Sequence, residues 1–169
     1  CTIVLESQEN EATQAAAMAA LCRLGGEQLV EIGGQVLNNS VPEYQQQYGA
    51  RLLGASRSSD SALPILTEAL KTKGTSPLVK SEIALALLEL GNAKAVAALK
   101  PYASGPAIGT GFVNPGMEAN CFVRLALCGL GDNASFPVML GDFDGMTKAQ
   151  VEAAYNLDTL AAYLTPNQK

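Results

Sequence analysis

The sequence predicts an all-α fold, and three observations lead to that prediction. Hydrophobic residues make up 48% of the chain, and Ala and Leu dominate them, whereas aromatic residues are few and Trp does not occur. Ala and unbranched side chains lose little entropy in a helix, so this composition favours helix over strand. The 16 glycines and 8 prolines punctuate apolar runs, which indicates short helices joined by tight turns.

The third observation is an internal repeat. The stretch LGNAKAVAAL at 90–99 aligns without a gap with RSSDSALPILTEAL at 57–70, at an offset of 33 residues (90 minus 57). An earlier copy begins at Leu24-Gly25, and LGDNASFPVML at 130–140 is a later one. A helical hairpin cannot bury its apolar face alone, so repeated hairpins are expected to stack into an α-solenoid. The aligned pairs are Ala62 with Ala95, Leu63 with Val96, and Leu66 with Leu99.

We predict a single domain over 1–169 that contains four helical hairpins. The second helix of the first hairpin is expected to be interrupted at Gly33-Gly34, because glycine is a poor helix former. The seven-residue excess between the third and fourth copies predicts an insertion rich in Gly and Pro. The hairpins take about 12–38, 41–72, 77–103 and 118–141, the insertion takes 104–117, and a C-terminal capping helix takes 147–164.

Several helix boundaries follow from local sequence. Ser40-x-x-Glu43 and Thr147-x-x-Gln150 have the spacing of a capping box, and Ser76-Pro77 places proline at the first position of a helix. Gly91 is expected to end a helix in the left-handed conformation, and Asn92 to cap the next helix. Prolines at 64 and 137 are expected within a first helical turn, where a missing N–H costs little.

The repeated pattern Leu-Gly-[Asp/Asn]-x-x-Ala-[Val/Leu]-[Pro/Ala]-x-Leu resembles HEAT-like repeats, especially the short form found in phycobilisome-lyase-type proteins. The resemblance covers about residues 12–140. It implies a curved helical scaffold that binds other proteins, and it brings no catalytic residues to this chain. It also allows an alternative, an accessory or lyase-like enzyme.

Charge and composition exclude several classes of function. The net charge is −5 and the 11 basic residues are scattered singly, so a nucleic-acid surface is not expected. The chain has no histidine, which removes the usual general base and the commonest metal ligand. We predict no catalytic residues, no cofactor and no metal site. No apolar run is long enough to span a membrane.

The insertion at 104–117 is the candidate partner-binding segment. It holds three apolar residues, Ile108, Phe112 and Val113, among glycines and prolines that oppose helix. They either pack on the chain's own repeats or contact a partner, because insertions in repeat arrays collect on one face. No Lys-Ser/Thr follows the glycines, so they do not form a phosphate-binding loop. The acidic stretch at 141–152 fails the calcium-loop register and is interpreted as a turn before Thr147.

The four cysteines divide into two groups. Cys22, Cys121 and Cys128 have no zinc-site spacing and are interpreted as buried thiols. Cys1 precedes a polar stretch, ESQENEATQ, and resembles the lipid-bearing start of a mature bacterial lipoprotein. We therefore expect a lipid on Cys1 and a periplasm-facing location at a bacterial cell envelope. A cytoplasmic fragment of a larger HEAT protein is the alternative.

The function predicted from sequence is a non-catalytic scaffold or assembly subunit whose partner is another protein. The membrane would be reached only through the lipid on Cys1. Self-association is a further alternative, because an array with uncapped ends can add copies of itself. Its contact residues would lie in the segment 3–5 and at Tyr155 and Tyr163.

Overall fold

A computed structural model of the chain describes residues 11–38, 41–104 and 119–143. These residues form eight α-helices and one 3₁₀ turn and no strand, which confirms the predicted all-α class. No helix among them is long and apolar enough to cross a membrane. The helices are α1 (Glu11–Leu24), α2 (Gln28–Asn38), α3 (Glu43–Ala55), α4 (Ser59–Lys71), α5 (Pro77–Leu90), α6 (Ala95–Leu99), α7 (Ala119–Gly129) and α8 (Phe136–Phe143), and the 3₁₀ turn is Lys100–Tyr102.

The chain divides into two compact units, Cys1–Asn92 and Ala93–Lys169. In the first unit, α3 is the central helix and contacts α1, α2, α4 and α5. Helices α1, α3 and α5 form one layer, and α2 and α4 form the other. This packing of neighbouring helices agrees with the all-α class, and the stacking of four hairpins into a solenoid stays a prediction.

Burial in the structure follows the register of the sequence repeat. The aligned residues Ala62 and Ala95 are both 0% exposed, and so are Leu66 and Leu99. Ala62 and Leu66 lie four residues apart on α4, and Ala95 and Leu99 lie four apart on α6, so the two residues of each helix share one apolar face. The aligned positions therefore have the same environment in two different helices.

Two predicted helix boundaries are confirmed at α5. The Ser76 Oγ accepts a hydrogen bond from the Val79 N–H at 3.2 Å, and Pro77 is the first helical residue. At the other end Gly91 has φ 65°, the left-handed conformation that a side chain would oppose. These local signals were sufficient because each acts within one helical turn.

The other predicted boundaries need correction. Helix α3 begins at Glu43 with Pro42 in the cap position, so the predicted start at Ser40 is wrong for this helix, and Ser40 itself lies outside the described residues. Pro64 is the sixth residue of α4, beyond the first turn, whereas Pro137 is the second residue of α8, as predicted. Asn92 does not directly precede a helix. Its side-chain amide donates to the Ser59 Oγ at 2.7 Å, and α6 starts at Ala95.

The predicted interruption at Gly33-Gly34 is also wrong, because α2 runs unbroken through both glycines. The physical reason lies in the neighbouring helix. A Cβ on Gly33 would lie 2.8 Å from the carbonyl oxygen of Gly49, and one on Gly49 would lie 2.6 Å from the backbone nitrogen of Leu37. The glycines thus let α2 and α3 approach backbone to backbone, and this packing outweighs their low helix propensity.

The second unit contains α6, the 3₁₀ turn, α7 and α8. Most of α7 is buried, including the charged side chain of Arg124, whose Nε donates to the carbonyl oxygen of Ala103 at 2.8 Å. The Lys100 Nζ lies 3.4 Å from the Asp132 carboxylate. These two contacts tie the residues after α6 to α7 and to the turn that follows it.

Candidate protein-binding groove

Helices α2 and α4 leave an open groove between them, with a volume of about 470 Å³. It lies in the layer that these two helices form in the first unit. Its walls combine apolar, amide and carboxylate groups. The lining residues are Glu27, Val30, Glu31, Gly34, Gln35, Asn38 and Ile65.

The floor of the groove is apolar. Val30 is 7% exposed, and Ile65 of α4 is half-buried and faces Gly34 of α2. A Cβ on Gly34 would lie 3.3 Å from the Ile65 Cδ1, so a side chain at this position would enter the space that the groove occupies. The missing side chain at residue 34 thus contributes to the open space of the groove.

The rim of the groove is polar and acidic. Glu27, in the turn directly before α2, is followed at intervals of four residues by Glu31 and Gln35 of α2. These residues therefore line one side of the helix about 6 Å apart, at 1.5 Å per residue. The Ser61 Oγ of α4 donates a hydrogen bond to the Glu27 Oε1 at 3.4 Å. Glu27 and Glu31 form no ion pair with any other residue in the described part of the chain.

The seam between α3 and α5, in the other layer, is closed. A Cβ on Gly54 would lie 2.9 Å from the Ala86 Cα, so the two backbones are in close contact. The Arg51 guanidinium and the Glu82 carboxylate form a two-pronged ion pair, with Nε donating to Oε2 at 2.9 Å. The hydrogen bond to Glu82 raises the pKa of Arg51, so both charges stay paired.

Two further groups lie beside this closed seam. Burial raises the pKa of the Glu89 carboxyl, and the charge of Arg57 opposes this effect. One carboxylate oxygen of Glu89 lies beside Gly54 of α3. Burial, followed by the charge of Glu89, raises the pKa of the Cys22 thiol. The Cys22 thiol also lies 3.6 Å from the Met18 sulfur. The raised pKa makes the Cys22 thiol a weaker nucleophile at neutral pH than an unperturbed thiol.

A second cleft, of about 360 Å³, lies at the turn between α4 and α5 and meets the groove at Asn38. The Thr75 hydroxyl within it donates to the carbonyl oxygens of Ala69 and Thr72, at 3.1 and 3.0 Å. These bonds hold the turn together. Lys73 is the charged residue in the lining, and no carboxylate lines the cleft beside it.

The cysteines of the described residues are free thiols. Cys121 and Cys128 are buried as predicted, whereas Cys22 is only half-buried. Burial, and secondarily the charge of Asp132, raises the pKa of Cys128 to about 11. A thiol with this pKa is almost fully protonated at neutral pH and is a poor nucleophile.

The predicted partner-binding residues Ile108, Phe112 and Val113 lie outside the described residues, and so does Cys1. The predicted capping helix at 147–164 lies outside them as well. Within residues 11–38, 41–104 and 119–143, no three Cys, Asp or Glu side chains come together as metal ligands would.

The groove residues were missed from sequence alone. The spacing of Glu27, Glu31 and Gln35 could have indicated a polar stripe along α2. Nothing local, however, indicates that Ile65 lies opposite Gly34, because these residues belong to different hairpins.

Comparison with known protein families, curated proteins and solved structures finds no match to this chain.

Proposed function

We propose that the protein is a non-catalytic protein-binding module that takes a segment of another protein into the α2–α4 groove. The observation that carries this proposal is the combination of an apolar floor and a polar rim along two neighbouring helices. Protein interfaces have this arrangement, with an apolar centre that excludes water and a rim that remains solvated.

The groups of the groove suit a peptide better than a small molecule. The groove is open along its length, whereas small-molecule sites enclose most of their ligand. The side-chain amides of Gln35 and Asn38 can each donate and accept hydrogen bonds, so they can pair with the main chain of a bound segment. Ile65 can pack against one of its apolar side chains.

The enzyme-accessory alternative needs a reactive thiol or converging acid and base groups. The raised pKa values of Cys22 and Cys128 favour the binding function instead. A lipid on Cys1 with an envelope location, and partner contact through Ile108, Phe112 and Val113, stay predictions of the sequence.

The test is native mass spectrometry of the protein isolated from its own host under mild conditions. A Gly34→Leu variant is designed to fill the groove, because Gly34 lines it and a Cβ at this position meets only the Ile65 side chain within 4 Å. The matched control is Gly141→Leu on α8, where a Cβ meets nothing within 4 Å. Circular dichroism would establish that both variants are helical.

We expect the wild-type protein and the Gly141→Leu variant to carry a co-purifying protein, and the Gly34→Leu variant to lose it. Retention of that protein by a folded Gly34→Leu variant would overturn the assignment of the groove. If no protein accompanies the wild-type chain under conditions that preserve complexes, the binding function itself is wrong.

A further inference from the structure

We infer that the α2–α4 groove selects a basic segment, in which lysine or arginine side chains flank an apolar side chain. This inference rests on the proposed function and specifies the chemistry of the partner. It depends on the position of Glu27 and Glu31 beside the apolar floor that Val30 and Ile65 form.

The carboxylates of the groove are not neutralised by any cation among residues 11–38, 41–104 and 119–143. Glu27 receives a hydrogen bond from the neutral Ser61 hydroxyl, and neither Glu27 nor Glu31 lies within 4.0 Å of a cationic group of the described residues. The basic residue of α4 that lies closest to Ile65 in sequence is Lys71. Its Nζ lies 3.6 Å from the Glu68 carboxylate, with which it forms an ion pair. A bound cation would supply the complementary charge.

The spacing of the carboxylates matches the spacing of side chains in a peptide. Glu27 and Glu31 are about 6 Å apart along α2. Residues four apart on a helix are separated by the same distance, and residues two apart on an extended strand by slightly more. In a helical segment, two basic side chains four residues apart can therefore reach both carboxylates, while an apolar side chain on the neighbouring part of the same helix contacts Ile65.

Other ligands fit this surface less well. A phosphate backbone or an anionic membrane surface would be repelled by Glu27 and Glu31. A divalent metal ion prefers more oxygen ligands than two glutamates provide, and no third acidic side chain joins them among the described residues. A second copy of this chain has a net charge of −5, so long-range repulsion disfavours it as the occupant of the groove.

The test uses a fluorescein-labelled synthetic peptide of repeating Lys-Leu-Ala-Lys units, with fluorescence anisotropy as the readout. Two control peptides have the same Leu and Ala positions, with Gln or Glu in place of Lys. We expect the Lys peptide to bind at least about tenfold more tightly than either control. The preference should decrease as salt rises past about 0.1 M, where screening acts over about 10 Å.

Variants locate the effect in the groove. We expect Glu31→Lys to weaken binding of the Lys peptide about five- to tenfold, because it replaces attraction by repulsion. Glu43→Lys is the matched control: Glu43 is exposed in the first turn of α3, outside the groove, and its replacement changes net charge equally. It should alter binding less than about twofold.

Equal weakening by both variants would mean that net charge alone attracts the peptide, and would overturn the inference. Equal affinity for the Lys and Gln peptides would overturn it too. A different result decides the proposed function: it is wrong if a protein partner from the host remains bound to the Gly34→Leu variant. If that partner is lost from Gly34→Leu but retained by Glu31→Lys, the groove binds protein and only the basic class is wrong.

Discussion

The two helix seams of the first unit differ in what they leave for a partner. Between α3 and α5 the backbones meet at Gly54 and Ala86, and Arg51 pairs with Glu82 beside the contact. Between α2 and α4, Gly34 faces the flexible side chain of Ile65, and the neighbouring carboxylates of Glu27 and Glu31 form no ion pair within the described part of the chain. The α3–α5 seam pairs its own charged groups, whereas the α2–α4 seam exposes its carboxylates to solvent.

This difference arises from which atoms lie opposite a glycine. Opposite Gly54 is the backbone of the next helix, so the missing side chain shortens the distance between helices. Opposite Gly34 is the Ile65 side chain, and both residues line the groove. The same residue type therefore closes one seam and opens another, and the following predictions test that contrast.

The largest effect is expected from neighbouring residues on α4. Leu66 is 0% exposed, so Leu66→Ala should lower the free energy of unfolding by about 3 kcal/mol through lost burial and a cavity. Ile65 borders the groove, and Ile65→Ala should cost only about 1 kcal/mol. Urea denaturation measures both, and equal losses would mean that Ile65 belongs to the core.

Gly54 and Gly34 should respond differently to replacement by alanine. Gly54→Ala forces the Ala86 backbone away and should destabilise the fold by about 1–2 kcal/mol, even after the gain in helix propensity. Gly34→Ala meets only the movable Ile65 side chain and should be neutral or stabilising by up to about 1 kcal/mol. Thermal unfolding of both variants tests this, and destabilisation by Gly34→Ala would show that the groove is tightly packed.

The Arg51–Glu82 pair should have a modest coupling energy. A double-mutant cycle with Arg51→Gln and Glu82→Gln is expected to give about 0.5–1 kcal/mol, because Glu82 is largely buried while Arg51 is half-exposed. The Glu68–Lys71 pair, with both side chains exposed, is the control and should give about 0.3 kcal/mol or less. Similar energies for both pairs would mean that burial of Glu82 adds nothing.

The smallest effect concerns Glu89, whose pKa is raised in the folded state above the ordinary value of 4.5. Above that raised pKa the folded protein carries a partly desolvated charge, so ionised Glu89 opposes folding. As pH falls through the raised pKa toward 4.5, the folded state takes up the proton first and this cost disappears.

Glu89→Gln should therefore stabilise the protein at pH 7 by less than about 0.5 kcal/mol, and the gain should vanish below pH 4.5. Chemical denaturation across this pH range measures the difference. In an Arg57→Gln background the gain should be larger, because Arg57 lowers the pKa of Glu89. A gain that grows as pH falls would contradict the assigned sign.

Local sequence predicted the features that depend on a single helical turn. The helical class, the Ser76 cap and the left-handed Gly91 all follow from groups a few residues apart. The repeat offset also predicted which positions share burial, as in Leu66 and Leu99. The start of α3 was missed, since the spacing of Ser40 and Glu43 indicates a cap whether or not the helix extends that far.

The glycines of the first unit show what only the tertiary structure decided. By sequence alone Gly33, Gly34, Gly49 and Gly54 are equivalent weak points in helices. Their roles depend on the atoms of another helix, namely backbone for three of them and the Ile65 side chain for Gly34. Side-chain chemistry along one chain determined the helices, whereas the closed seam and the acidic groove arose from contacts between residues distant in sequence.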